Sequence, residues 1–161
     1  MRTQKALFAA GCFWGVQYYF DQIPGVVTTT VGYTGGTTKN PTYDEVCSHT
    51  TGHAEALLIE FNPQKVTYIT LLKQFFRMHD PTQLNRQGPD VGDQYRSAIF
   101  FFDEAQEASA KAIRQEAQAN HDKPVVTEIS PAGPFYKAEA YHQKFTQRTG
   151  IGMCHVPYKP L

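Results

Sequence analysis

Short apolar or β-branched runs alternate with helix-patterned segments along this chain, and that alternation limits the available folds more than any other feature. Residues 6–10 form an apolar run that stops at Gly11, as a buried strand does. The aromatic-rich stretch 13–21 reads as a helix halted near Pro24-Gly25. Residues 26–33 are β-branched and read as a strand, and 34–41 is a Gly/Thr loop. Thr42 and Glu45 form a capping box over a short helix at 42–48. Residues 53–61 read as a strand. Thr67 caps a helix in which Ile69, Leu72 and Phe76 share one face, and Asp80-Pro81 ends it. Residues 80–95 form a long polar loop, and such loops within compact domains are usually functional. A strand at 97–102 follows. Then comes an alanine-rich helix capped by Asp103-x-x-Gln106 and reaching about Ala119, a strand at 125–129 and a final helix at 138–148. The pattern predicts a two-layer sandwich of the α+β or α/β kind, with a mixed sheet and flanking helices. It fills one domain, 1–161, with 149–161 as a flexible tail.

The bulk numbers remove whole classes of function. A chain of 161 residues can bury a sizeable core without metals or disulfides. At 41% hydrophobic and 13% aromatic residues it is not a disordered chain. Fifteen basic and fifteen acidic residues cancel, leaving no electrostatic footprint for nucleic acid or an anionic membrane. No apolar run approaches the roughly 20 residues of a membrane span. Three cysteines, Cys12, Cys47 and Cys154, are a poor disulfide framework and fit a reducing, cytoplasmic compartment. A monomer that meets neutral small groups or other proteins is the expectation. Arg2 and Lys5, then an apolar stretch before Cys12, imitate a lipoprotein signal. A signal core needs about 7–15 apolar residues, and this stretch is shorter, so that reading is rejected.

Cys12 lies in Gly11-Cys12-Phe13-Trp14-Gly15, between a strand and a helix. A helix N-terminus offers free N–H groups and a partial positive charge, and both favour a thiolate. Gly11 permits the tight turn. Phe13 and Trp14, the only tryptophan, would build an apolar pocket for an aliphatic group. The same residues also suit a structural cysteine buried among core aromatics.

Gly-Cys-Phe-Trp-Gly is the signature of the type A peptide methionine sulfoxide reductases, and the chain resembles that family through most of its length. The matching stretches are Gly32-Tyr33-x-Gly35-Gly36, Asn40-Pro41-Thr42-Tyr43-x-x-Val46-Cys47 and Gly52-His53-Ala54-Glu55. Phe75-Phe76-x-x-His79-Asp80-Pro81-Thr82 follows, then Asn85-Arg86-Gln87-Gly88-x-Asp90-x-Gly92-x-Gln94-Tyr95-Arg96-Ser97 and Ala138-Glu139-x-Tyr141-His142-Gln143. The resemblance implies a ferredoxin-like sandwich and reduction of the S-epimer of methionine sulfoxide, free or in proteins. It implies Cys12 as the nucleophile that becomes a sulfenic acid, and Glu55 as the general acid. Tyr43 and Tyr95 would donate hydrogen bonds to the sulfoxide oxygen, Asp90 would orient the cluster, and Phe13 and Trp14 would hold the substrate methyl. It implies no bound cofactor. Cys154, in a glycine-bearing tail, would resolve the sulfenic acid into a disulfide that thioredoxin reduces. Members of that family often carry Asn-Pro-x-Gly-Tyr-Cys before this point, most of which this tail lacks, and many have a second recycling cysteine further on, which is absent here. A small thiol or glutaredoxin attacking Cys12 directly is the alternative.

Other readings stay open at this level. Cys47, His49, His53 and Glu55 are all zinc-ligand types close in sequence, although Thr50-Thr51-Gly52 argues against the helix that would align them. Cys12 with His53 or His142 as base would make a cysteine hydrolase. A non-enzymatic reader of methionine sulfoxide would need the aromatic pocket but not Cys12. Cys47 itself reads as a buried core residue.

Overall fold

A computed structural model of the chain describes residues 2–150. Cys154 and the rest of the tail lie outside the described residues. Six strands form one mixed sheet in the order β7-β6-β1-β3-β2-β8: β1 (Gln4–Ala10), β2 (Val26–Thr34), β3 (Ala54–Phe61), β6 (Ser97–Phe101), β7 (Glu128–Pro131) and β8 (Phe135–Lys137). All neighbours are antiparallel except β6 and β7. Alternation along β1 sends Ala6, Phe8 and Ala10 to one face and Leu7 and Ala9 to the other. The first set joins the main core with α1 (Phe13–Asp21), α3 (Tyr68–Arg77) and α4 (Glu104–Gln118). The second set meets Ala54, Ala56, Ala98 and Phe100 on the opposite face. The architecture is α+β, a mixed sheet with flanking helices.

The local stop and start signals act as expected. Thr42 caps α2 (Tyr43–Cys47) with a complete capping box, Thr67 accepts from Thr70 N–H, and Asp103 accepts from Gln106 N–H. Four expectations change. The buried stripe of α3 is Leu71, Leu72, Phe75 and Phe76, while Ile69 is 44% exposed. The helix turns a wider apolar face inward than a two-spacing pattern captures. The loop 80–95 contains a small hairpin, β4 (Arg86–Gln87) with β5 (Asp90–Val91), and a 3₁₀ turn at Asp93–Tyr95. The strand expected at 125–129 lies later, at Glu128–Pro131, where it pairs with β6.

The last helix is the fourth change. It is interrupted: a 3₁₀ turn at Ala140–His142 precedes α5 (Phe145–Thr149). Gln143 bonds both the N–H and the carbonyl of Val31 on β2, each at 3.0 Å. Lys144 then takes a left-handed φ of 58°, and its ammonium reaches Asp21 at 2.6 Å. Side chains holding a distant sheet edge and α1 thus override local helix preference. Among the described residues, no helix is long and apolar enough to cross a membrane.

Candidate active site

The site forms where β1 hands over to α1. Gly11 takes a φ of 99°, a conformation that strains residues with a Cβ, and so turns the chain sharply after β1. Cys12 then stands as the N-cap of α1, partly buried. Its sulfur lies by the Trp14 and Gly15 N–H groups of the first turn.

Glu55 comes to this turn from β3. Side chains alternate along a strand, so Glu55 shares the core-facing side with Leu57, Ile59 and Phe61. It is 1% exposed. Its Oε1 accepts the Phe13 N–H at 3.2 Å, while Oε2 is buried without a partner. Among the described residues no cation offsets the loss of water. Burial pushes the carboxyl from 4.5 up to about 8, against the pull of the Phe13 N–H and with a small push from Asp90. Glu55 is therefore mostly protonated at neutral pH.

The thiol corrects one sequence expectation. Burial, then the Glu55 carboxylate, hold Cys12 well above the usual thiol range, and Asp90 adds to this. The Trp14 and Gly15 N–H groups pull the other way and lose. The helix N-terminus alone would favour a thiolate, but burial beside a carboxyl outweighs it, because desolvation acts on the whole charge. At rest the thiol and the acid both keep their protons.

The remaining expected residues converge from separate segments. Ser97 of β6 pairs with Ala10 of β1, which sets Tyr95, two residues before Ser97, near Cys12, two residues after Ala10. Burial, then Glu55, raise Tyr95, with smaller contributions from Cys47, Asp90 and Cys12. Tyr43, the first residue of α2, is also raised by burial and then Glu55. Both phenols stay neutral and can donate. Asp90, on β5, bears electrostatically on Cys12, Glu55 and Tyr95. Phe13 and Trp14 each stack against Tyr43 with ring centroids 6.4 Å apart.

Glu139 and Phe145 join the site without a role expected for them, and His142, offered above only as a hydrolase base, takes a different one. Glu139 accepts from the Tyr33 hydroxyl at 2.9 Å and from the Tyr43 N–H at 3.1 Å, so it ties α2 to β2. Burial opposes its charge, but these donors keep Glu139 below the usual carboxylate range. His142 packs on Phe13, Trp14 and Tyr43, and Phe145 stacks on Trp14 at 4.0 Å. The one available signal was that Glu139 and His142 fall in a single quoted motif. Cys47 is not core: it is partly buried, and its thiol takes a hydrogen bond from the Tyr43 hydroxyl one helical turn away.

The zinc set does not converge. Among the described residues no three such ligand types cluster. His53 spends both nitrogens on backbone, with Gly36 N–H at 3.0 Å and the Thr38 carbonyl at 2.6 Å, and His49 lies 3.6 Å from Asp93. That leaves His53 unable to serve as a hydrolase base either. His142 takes the Trp14 indole N–H at 2.9 Å instead of meeting Cys12.

A thiol-dependent oxidoreductase is the class that this fold and site define, with a cysteine that feels a protonated buried carboxyl, and aromatic walls. The residue pattern of the peptide methionine sulfoxide reductases matches residues 4–161. The chain belongs to the peptide methionine sulfoxide reductase family. The peptide methionine sulfoxide reductase MsrA of Azotobacter vinelandii is 56% identical over 155 residues, covering 94% of this chain and 72% of that one. That of Geobacter sulfurreducens is 52% identical over 153 residues, 94% of each. Mxr1 of Saccharomyces cerevisiae in reduced form superposes with a TM-score of 0.89 at 34% identity, over 96% of this chain and 90% of that one. The same yeast protein in complex with Trx2 gives 0.64 at 27% identity, over 89% and 85%.

Proposed function

We propose that this chain reduces the S-epimer of methionine sulfoxide, free and in peptides, through a sulfenic acid on Cys12. The observation that carries the reading is Glu55: a buried carboxyl, protonated near neutrality, with an unpartnered oxygen beside the Cys12 turn. A sulfoxide sulfur whose oxygen is protonated becomes electrophilic. Glu55 gives its proton to the sulfoxide oxygen while Tyr95, and Tyr43 once its hydroxyl turns from the Cys47 thiol to the substrate, donate hydrogen bonds to it. The positive charge that develops on the substrate sulfur makes loss of the Cys12 proton favourable, and the Glu55 carboxylate receives it. The thiolate sulfur bonds to the substrate sulfur; the S–S bond and the substrate S–O bond then break as the hydroxyl moves to the cysteine sulfur, leaving an electron pair on the substrate sulfur. Oxygen passes from substrate to cysteine, so a thiol and a sulfoxide become a sulfenic acid and a thioether. Phe13 and Trp14 hold the methyl, and Asp90 orients the polar cluster.

The strand order β6-β1-β3-β2, all antiparallel, with α1 after β1 and α3 after β3, supports a ferredoxin-like description of the scaffold. Recycling is assigned to Cys154, whose thiol condenses with the sulfenic acid to a disulfide and water. Thioredoxin then reduces the disulfide by exchange, a role supported by the yeast relative's complex with Trx2.

Incubation with dithiothreitol and the separated epimers tests the activity. Methionine should form from the S-epimer only, and no turnover of either epimer sinks the reading. Cys154→Ser should keep turnover with dithiothreitol and lose turnover with thioredoxin. Equal thioredoxin-driven rates in both proteins would remove Cys154 from the cycle.

A further inference from the structure

His142 is 1% exposed and lies 128 residues from Trp14 along the chain, yet their rings share a hydrogen bond of 2.9 Å. An indole N–H can only donate, so Nδ1 of His142 must accept. The imidazole is therefore neutral and carries its hydrogen on Nε2. That nitrogen is buried with no partner among the described residues. A buried donor left unpaired costs about 1–3 kcal/mol, so this imidazole is a burden on the fold. Its gain lies in where it holds Trp14. Phe145 stacks on the indole face, but stacking leaves a ring free to slide and rotate in plane. The bond to Nδ1 removes that freedom.

Resting on the reading of Trp14 as a wall of the methyl pocket, we propose that His142 is a positioning residue that fixes the indole plane, and only while the imidazole is neutral. Protonation places a hydrogen on Nδ1, facing the indole N–H, and the bond becomes a repulsion between two donors. Burial holds His142 below the usual imidazole range, against the Glu139 carboxylate, which pulls it up. The ionisable groups facing the ring are Glu139 and Tyr141 from its own turn and Tyr43 from α2. Glu139 remains an anion into acid and both phenols remain neutral. His142 is thus the group whose charge changes as the pH falls. Pocket walls that contact substrate alike in ground and transition states set KM more than kcat.

The test uses the single tryptophan as its own reporter. Trp14 emission of the intact chain should shift with falling pH along one acid limb, with kcat/KM for methionine sulfoxide falling along the same limb. His142→Phe keeps an aromatic ring but no acceptor. It should remove the emission limb and raise KM roughly fivefold, about the worth of one hydrogen bond, with kcat nearly unchanged. His142→Asn restores an acceptor near Nδ1 that does not titrate. It should bring KM back towards wild type while the limb stays absent. An emission limb that persists in His142→Phe, or a KM unchanged by it, overturns the proposal. The fluorescence arm needs no turnover. Loss of activity towards both epimers would therefore sink the reductase reading and leave the emission result to decide on His142.

Discussion

Cys12→Ser is expected to reduce methionine formation from methionine sulfoxide to background, a loss on the order of 10⁴-fold or more, as removal of a nucleophile gives in other enzymes. The hydroxyl is a far weaker nucleophile towards sulfur, and oxygen cannot take the place of the sulfur that is oxidised to a sulfenic acid. The replacement is small, and a serine hydroxyl suits the N-cap position that Cys12 holds, so folding is not at issue. Methionine released under excess dithiothreitol measures the result. Thiol-driven turnover persisting in Cys12→Ser would assign the chemistry to another cysteine, and Cys47, already bonded by Tyr43, would be the first to test.

Glu55→Gln is expected to slow the single-turnover step by roughly 10²–10⁴, the usual contribution of a positioned acid. The amide keeps the shape and can still accept the Phe13 N–H, but it has no proton to give. The pH dependence separates this from a packing defect. Glu55 works in its protonated form, with burial placing its pKa at about 8. The wild-type rate should therefore fall as the pH rises through about 8, and that limb should vanish in the variant. Stability runs the same way. The folded-state pKa lies above the ordinary 4.5. The proton's contribution is therefore complete below about 4.5 and is lost as the pH rises through about 8. At pH 9 wild type carries a buried carboxylate, and Glu55→Gln should melt at a higher temperature. A full-rate variant, or an unchanged alkaline limb, would move the acid elsewhere.

Much of the scaffold is legible because its signals are local. The caps at Thr42, Thr67 and Asp103 act on N–H groups three residues away, so the residues that write the signal also receive it. The strand–Gly11–Cys12–helix handover is equally local, while Glu55, Tyr43 and Tyr95 were named only through the family resemblance. The one physical signal for Glu55 in the sequence is its alternating position with Leu57, Ile59 and Phe61, which puts a carboxyl on the core face of β3. β8 was invisible: Phe135–Lys137 is three residues long and exists by pairing with Gly32, Tyr33 and Thr34, about a hundred residues earlier.

The Gly11-Cys12-Phe13-Trp14 turn, the capped helices and the alternating faces of the strands were settled by the sequence, since each depends on neighbours within a turn or a pleat. Tertiary structure alone decided the charge state of the site and the setting of its tryptophan. Whether Cys12 and Glu55 hold their protons depends on how much water the fold removes and which charges it brings near, and neither is encoded by adjacent residues. The bond from Trp14 to His142 spans 128 positions. It forms because Gln143 and Lys144 anchor the returning chain on β2 and α1, contacts that exist only after the sheet has assembled.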